Sequence, residues 1–306
     1  VITGPEETRR GTGYVFAAYA MWGLFPLYFA AMQPAGAWEI LAHRIVWSLV
    51  FCAGILLIRR DVSWLGPVLR NRRLLLGTAA AALLIASNWG FYVYAVISGQ
   101  TTEAALGYFL NPLVTVALGV VVLGETLRPI QWVAVAIGAI AAVYLSVSAG
   151  TAPVIALFLA FSFGLYSLVK KRVGVSLTAM RGLAIETAIL LPLAVVLIVW
   201  TAATGTATFL TEGAGHTVLL ASAGVVTAIP LLLFAAAARR VPLTTIGLIQ
   251  FITPVVQLIV AVTLLDEQMT RARWIGFGIV WIALAILTVD MLGRRRRPRP
   301  LPPVPA

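Results

Sequence analysis

Residues 102–125 read TEAALGYFLNPLVTVALGVVVLGE, and residues 244–267 read TTIGLIQFITPVVQLIVAVTLLDE. Both are apolar for about 20 residues, the length of helix needed to cross a hydrocarbon core of roughly 30 Å. A constant offset of 142 residues aligns them without a gap: Thr102 with Thr244, Phe109 with Phe251, Pro112 with Pro254, Leu123 with Leu265, Glu125 with Glu267, and Trp132 with Trp274 further on. Matches of Leu and Val mean little in apolar sequence. A proline, a glutamate and a tryptophan kept in one register point to an internal repeat.

The rest of the chain has the same character. Hydrophobic residues make up 61% and charged residues 11%, too little charge to cover a soluble domain. In hydrocarbon every backbone N–H and C=O needs an internal partner, so apolar spans of this length are read as helices. The two-residue alternation of barrel strands is missing. Helices are predicted at 12–32, 38–58, 74–97, 103–123, 129–148, 153–169, 180–201, 217–237, 243–264 and 273–292. The segment Phe161–Tyr166 echoes Ala20–Phe25 through Gly23/Gly164 and Leu24/Leu165. The expected fold is therefore all-α integral membrane, with ten transmembrane helices as two inverted five-helix repeats. An odd number of helices per repeat inserts the second upside down and places a shared site between the halves near the midplane. The expected divisions are an N-terminal tail at 1–10, a first repeat at 11–149, a second at 150–292, and a basic, proline-rich tail at 293–306.

Charge orients the chain. With the N-terminus inside and the helices alternating, inside segments hold nineteen Lys and Arg residues and outside segments only Arg271 and Arg273, with Arg44 within a span. Both termini are thus expected in the cytoplasm of a multi-pass protein of the bacterial plasma (inner) membrane, with the basic tail beside anionic membrane lipid. The net charge of +11 is spread in short runs between spans, so no nucleic acid partner is expected. Cys52 is the only cysteine, which excludes an intrachain disulfide and a cysteine metal cluster. No cleavable signal pattern precedes the first span. No phosphate loop of the form G-x-x-x-x-G-K-[ST] occurs, so neither a nucleotide nor any other cofactor is expected.

The chain resembles the EamA-type branch of the drug/metabolite transporter superfamily, and within it the RarD-like proteins. The resemblance rests on Glu39-Ile-Leu-Ala-His-Arg-Ile-Val-Trp-Ser, Asn88-Trp89, Glu103-Ala-Ala-Leu-Gly-Tyr-Phe-Leu-Asn-Pro, Ala160-Phe-Ser-Phe-Gly-Leu-Tyr, Ile185-Glu-Thr and Gly247-Leu-Ile-Gln-Phe-Ile-Thr-Pro. It runs from about Gly11 to Asp290, departing at Ala105, where Ser is usual, and Phe251, where Tyr is usual. It implies two five-helix repeats and transport of amino-acid-like metabolites or drug-like organic compounds.

Two stripes follow from the repeat. Tyr108, Asn111, Pro112 and Thr115 share one helix face, as do Gln250, Thr253, Pro254 and Gln257. Each proline lacks an N–H and frees the carbonyl four residues back, that of Tyr108 or Gln250. The stripes are expected to line the solute path, with Pro112 and Pro254 letting the helices bend during gating; polar bonding between helices is the alternative. His43, Arg44 and Glu186 are ionisable groups within spans, a placement that costs stability unless a partner or function requires it. Arg44 and Glu186 are related by the 142-residue offset. Either Arg44 takes a substrate carboxylate while Glu186 and His43 serve proton coupling, or Arg44 and Glu186 form a structural ion pair. Glu39 lies one turn before His43 and is placed to pair with it. Asn88 and Tyr92 share a face, and Trp22 and Tyr166 come from repeat-equivalent regions; aromatic rings with polar tips suit a small organic solute. Trp38, Trp132 and Trp274 read as interfacial belt residues. The stripe Ala134, Gly138, Ala142 and Ser146 reads as close helix packing, within the chain or in a homodimer.

Secondary transport is the leading reading. The alternative is a membrane-embedded enzyme using His43 and Glu186 on a lipid-linked substrate, which lacks a recognisable nucleophile arrangement. A sensor or assembly factor is disfavoured because no sizeable segment lies outside the spans.

Overall fold

The computed structural model describes residues 5–124, 127–149, 153–173, 177–238, 240–241, 246 and 249–295. Glu125, Thr244 and the tail from 296 lie outside this set, as does the expected boundary at 150. The helices are α1 (Pro5–Gly23), α2 (Phe25–Ala30), α3 (Ala37–Ile58), α4 (Leu65–Arg70), α5 (Arg72–Ile97), α6 (Thr101–Leu123), α7 (Pro129–Ala149), α8 (Val154–Val173), α9 (Ala179–Ala203), α10 (Gly213–Ala238), α11 (Ile252–Thr263) and α12 (Arg271–Arg295). No strand occurs among the described residues.

Eight spans are long and apolar enough to cross a membrane, with α1 and α2 counted as one from Glu6 to Ala30. Two shorter apolar helices, Val154–Lys170 and Ile252–Thr263, complete the ten. Local chemistry sets several ends. Asn71 caps α5 by accepting from Leu74 N at 3.1 Å. Gly124 ends α6 in the left-handed conformation, φ 66°, which glycine adopts without a Cβ penalty.

Three details differ from the sequence reading. The first predicted span is broken at Leu24. Pro26 opens α2 without an N–H, so it cannot donate to the carbonyl of Trp22. The ninth predicted span, 243–264, turns at Gln250 and Phe251 before α11 begins. There Pro254 leaves the Gln250 carbonyl free, and Thr253 N takes it at 3.2 Å in a tighter turn. The connection at 59–73 also holds the short helix α4.

The packing obeys a two-fold exchange. Equating α1 and α2 with α8, α3 with α9, α5 with α10, α6 with α11, and α7 with α12 maps the most extensive helix pairs onto one another. α1 packs on α10 as α8 packs on α5, and α1 on α11 as α8 on α6. α3 meets α10 as α9 meets α5, while α3–α9, α6–α11 and α7–α12 map onto themselves. The two halves are thus interleaved as inverted repeats rather than set side by side.

Gly23 and Gly164 show why the sequence echo exists. A Cβ on Gly23 would lie 2.7 Å from Val256 Cβ on α11, and one on Gly164 would lie 3.0 Å from Leu118 Cδ1 on α6. Each glycine permits the close approach of equivalent helices. Gly138 plays a similar part within the chain, receiving Leu113 of α6. Outward faces are apolar, as at Leu76, Val121, Val147 and Val289, which suits contact with lipid.

Candidate functional site

Arg44 is carried two turns into α3 and is buried, 4% exposed. Its Nε donates to Thr227 Oγ1 of α10 at 2.9 Å. Its guanidinium carbon lies 4.1 Å from the centre of the Trp89 ring on α5, 5.4 Å from Phe29 and 5.5 Å from Phe25 of α2. Nη1 is buried without a hydrogen-bond partner. Among the described residues no carboxylate lies within ion-pair distance of it. A desolvated cation held only by aromatic rings and one hydroxyl is costly to keep, because ring quadrupoles replace only part of its hydration.

A second polar node adjoins it. Gln257 of α11 donates from Nε2 to the Tyr92 hydroxyl at 2.9 Å and to the Trp22 carbonyl at 3.2 Å. That carbonyl is the one Pro26 frees, so the break between α1 and α2 and the break before α11 meet through Gln257. Gln257 Oε1 is buried and unpartnered. Asn88 of α5 donates from Nδ2 to Ser162 Oγ at 2.9 Å and the Leu159 carbonyl at 3.1 Å, and accepts from the Tyr108 hydroxyl at 3.3 Å. Ring contacts join the nodes: Phe29 to Tyr92 at 5.9 Å and Tyr92 to Tyr108 at 5.5 Å. Tyr28, Tyr92 and Tyr108 all lie within electrostatic reach of Arg44.

The helices that build this cluster come from both halves. Asn88, Tyr92 and Gln257 are even more buried than Arg44, so the cluster is closed to solvent. Polar contacts close the helix ends. Arg181 grips Asp61 with two bonds, 3.0 and 2.5 Å; Arg240 meets Glu7 at 2.9 Å; and Arg128 pairs with Asp290. At the opposite ends, Glu267 accepts from Thr101 N at 2.5 Å and Thr102 N at 2.8 Å, anchoring the start of α6.

Of the residues singled out in the sequence, Trp22, Arg44, Asn88, Tyr92, Tyr108 and Gln257 are brought together. Trp22 contributes its carbonyl, while its ring packs on Tyr19 and Phe234. Glu186 and Tyr166 lie elsewhere, with Lys170: the Lys170 ammonium is 2.5 Å from Glu186 Oε1, and the Tyr166 hydroxyl is 3.5 Å from Oε2. Arg44 and Glu186 therefore do not pair, because Lys170, one helix away, satisfies the carboxylate. His43 accepts from Trp47 Nε1 at 3.1 Å and stacks on Phe209 at 4.3 Å. The anticipated Glu39–His43 pair is replaced by loop contacts: Glu39 accepts from Thr208 N at 2.7 Å, Thr208 Oγ1 at 2.9 Å and Phe209 N at 2.9 Å. Asn111 accepts from Thr115 at 3.3 Å, on a less buried part of α6. Gln250 is half-buried at the helix break. Pro112 sits inside continuous α6, unlike Pro254.

Sequence reasoning missed Phe25, Phe29, Trp89, Thr227 and Lys170. Trp89 adjoins Asn88 and carried a signal; Thr227, an isolated Thr in an apolar helix, carried none.

Comparison with known proteins adds the family. The sequence profile of the EamA-like transporter family matches residues 9–147 and again 151–289. The protein named RarD of Streptomyces exfoliatus is 48% identical over 96% of this chain and 93% of its own. The RarD protein of Escherichia coli is 38% identical over 95% and 98%. An uncharacterized transporter of Pseudomonas aeruginosa is 40% identical over 95% and 98%. A crystal structure of a protein 18% identical superimposes with a TM-score of 0.59 over 94% of this chain and 99% of its own, which shows a shared fold and no more.

Proposed function

The chain belongs to the EamA-like transporter family and is a multi-pass membrane transporter of the drug/metabolite superfamily, not an enzyme, and from that membership we propose that it is a secondary exporter of small organic solutes, amino-acid-like or drug-like, working by alternating access between its two repeats. One observation carries the reading: a buried guanidinium with an unpartnered N–H stands where the two halves meet. A structural cation would have been given a carboxylate, as Glu186 was given Lys170. A cation left uncompensated is a place kept for an anionic group that arrives and leaves.

The geometry also supports alternation. The polar contacts at the helix ends are ion pairs and carboxylate caps, which break without disturbing the apolar packing. The exchangeable packing of the halves supplies two ways to open, related by the two-fold exchange. By the Lys/Arg bias, the end holding Arg59, Arg128, Lys170 and Arg181 faces the cytoplasm, with both termini there, in the plasma membrane.

The test is flux. Purified protein in sealed liposomes is expected to move carboxylate-bearing organic solutes down their own gradient, faster when an imposed pH gradient drives exchange. Reporter fusions within Thr204–Gly215 are expected to read outside and those after Arg72 inside. Liposomes that leak no solute from a broad organic panel beyond the protein-free control would sink the transport reading, and a cytoplasmic signal from Thr204–Gly215 would sink the orientation.

A further inference from the structure

We propose that three strained tethers between the halves are the gates of the transport cycle: Arg181 on Asp61 at one end of the molecule, and Glu39 on Thr208 and Phe209 together with Glu267 on Thr101 and Thr102 at the other. This rests on the alternating-access reading above and names the contacts that must open in each half of the cycle.

The tethers obey the same exchange as the helices. Glu39 and Arg181 stand 142 residues apart, each the third residue of its helix, α3 or α9. Glu39 holds the connection that follows α9, accepting from Thr208 N at 2.7 Å and Phe209 N at 2.9 Å. Arg181 holds the connection that follows α3, donating to the Asp61 carboxylate at 3.0 and 2.5 Å. α3 and α9 pack on each other, and as the second and seventh of ten alternating spans they run in opposite directions. The two tethers therefore close opposite ends of one helix pair. Glu267, in the connection between α11 and α12, holds Thr101 N and Thr102 N at the start of α6, at the same end as Glu39. Each of the three joins one half of the chain to the other.

The backbone beside every tether is strained. Among the described residues three that are not glycine have a left-handed backbone: Arg60 (φ 52°), Leu210 (φ 68°) and Asp266 (φ 52°). Each directly adjoins a tether residue, namely Asp61, Phe209 and Glu267. All three are exposed, so packing of their own side chains does not hold them in place. Elsewhere left-handed positions fall on glycine, at Gly99, Gly124, Gly205 and Gly213, none of which adjoins a tether residue. A Cβ makes this conformation costly, and such residues persist only while their surroundings over-determine them. Here the tether does so. Once it breaks, the neighbouring residue relaxes, so each gate holds in its backbone part of the free energy needed to open it.

The native thiol reads one gate directly. Cys52, the only cysteine, is 1% exposed and belongs to one apolar cluster with Leu183 of α9 and with Trp64, whose Nε1 donates to the Asp61 carbonyl. Parting of α3 from α9 at this end uncovers it. The probe is N-ethylmaleimide on the detergent-purified full chain, read as the rate of Cys52 modification. Arg181→Gln gives up the two-bonded ion pair and is expected to speed modification about tenfold or more. Arg60→Gly relieves the strain that favours opening and is expected to slow it about tenfold. Arg59→Gly removes the same charge at an ordinary φ of −80° and is expected not to slow it. Glu39→Gln loosens the far gate, draws the protein into the form that stays shut at Asp61, and is expected to slow modification of Cys52. Contacts with a merely structural role give the opposite sign there, since loosening any of them admits the reagent. If Glu39→Gln does not fold, Thr208→Val, which removes one of the three donors to Glu39, takes its place with the same expected sign. Modification unchanged or faster in that variant overturns the gates, as does equal behaviour of Arg59→Gly and Arg60→Gly. Either outcome, with the unaltered protein still exchanging organic solutes in liposomes, leaves the transporter reading standing. Liposomes of the unaltered protein that exchange nothing overturn both.

Discussion

The Glu186 carboxylate lies 2.5 Å from the Lys170 ammonium, whereas Arg44, its counterpart 142 residues earlier, touches no carboxylate among the described residues. The repeat places opposite charges at equivalent sites, and the fold then treats them differently. Glu186 is neutralised by a side chain of α8 whose ammonium end reaches towards the exposed end of the helix, Lys170 being 41% exposed. Arg44 is enclosed by rings and one hydroxyl. The first is a pair that holds two helices together, and the second is a buried cation with no counter-charge among the described residues.

Lys170 and Glu186 should behave as a coupled pair. Lys170→Met leaves the 5%-exposed carboxylate without its cation and should destabilise by about 2–3 kcal/mol, less than a fully buried pair because Lys170 is partly solvated. Glu186→Gln keeps a hydrogen-bonding group and should cost about 1 kcal/mol or less. The double variant should recover most of the Lys170→Met loss. Unfolding of the four proteins in detergent measures the cycle, and strictly additive costs would show that no pair exists.

Arg44 should show the opposite signature. Arg44→Met gives up the Thr227 bond and the contact with Trp89, but it also removes a desolvated cation, so the net change in stability should stay within about 1 kcal/mol. Solute flux should nevertheless fall by about tenfold or more. Stability and flux measured on one preparation separate the two roles. A stability loss comparable to that of Lys170→Met would mean that Arg44 is itself a structural partner.

The spans were legible because length and hydropathy alone decide a helix in hydrocarbon, and the inverted repeat was legible because Pro112/Pro254 keep its register and Gly23/Gly164 answer a steric need that recurs in both halves. Arg44 stood out as a charge away from any helix end. Its partners did not, since Thr227 is 183 residues distant and nothing in an apolar helix marks that Thr as a partner. Offset symmetry suggested Glu186 for Arg44, and the spacing of one turn suggested His43 for Glu39. Both suggestions lost to groups from other helices and loops: Lys170, and the backbone N–H groups of Thr208 and Phe209. Prolines flagged bends, but whether a bend becomes a break depends on which group donates to the freed carbonyl. At Trp22 it is Gln257, at a separation of 235 residues.

The approach of α1 to α11 at Gly23 should tolerate no added bulk. Gly23→Ala places a Cβ 2.7 Å from Val256 Cβ and should destabilise by about 1–3 kcal/mol. Val256→Ala removes the Cγ1 met at 2.9 Å but keeps the Cβ, so the double variant should recover only part of the Gly23→Ala loss. Gly13→Ala, on the same helix with open space around it, should be neutral or stabilising by about 0.5–1 kcal/mol through helix propensity. Thermal unfolding in detergent provides all three comparisons. Equal effects at Gly13 and Gly23 would show that the contact does not limit packing.

Pro254 tests whether the break before α11 belongs to the transport cycle. Without an N–H at 254 the chain satisfies the Gln250 carbonyl through Thr253 N at 3.2 Å, and the helix turns at Gln250 and Phe251 before resuming. Pro254→Ala supplies the missing donor and removes the ring clash, so the segment can run straight into α11. A straightened helix would gain a backbone bond, and stability should hold or rise by about 1 kcal/mol. Straightening would also move Phe251 and the start of α11 relative to Gln257, whose bonds to Tyr92 and the Trp22 carbonyl tie this helix to the break between α1 and α2. Flux should therefore fall while the protein stays folded, the mark of a conformational step rather than of damage. Pro112→Ala is the internal control: α6 already runs unbroken through Pro112, so this change should affect flux much less. Flux unchanged in Pro254→Ala, or reduced equally in both variants, would remove the break from the mechanism.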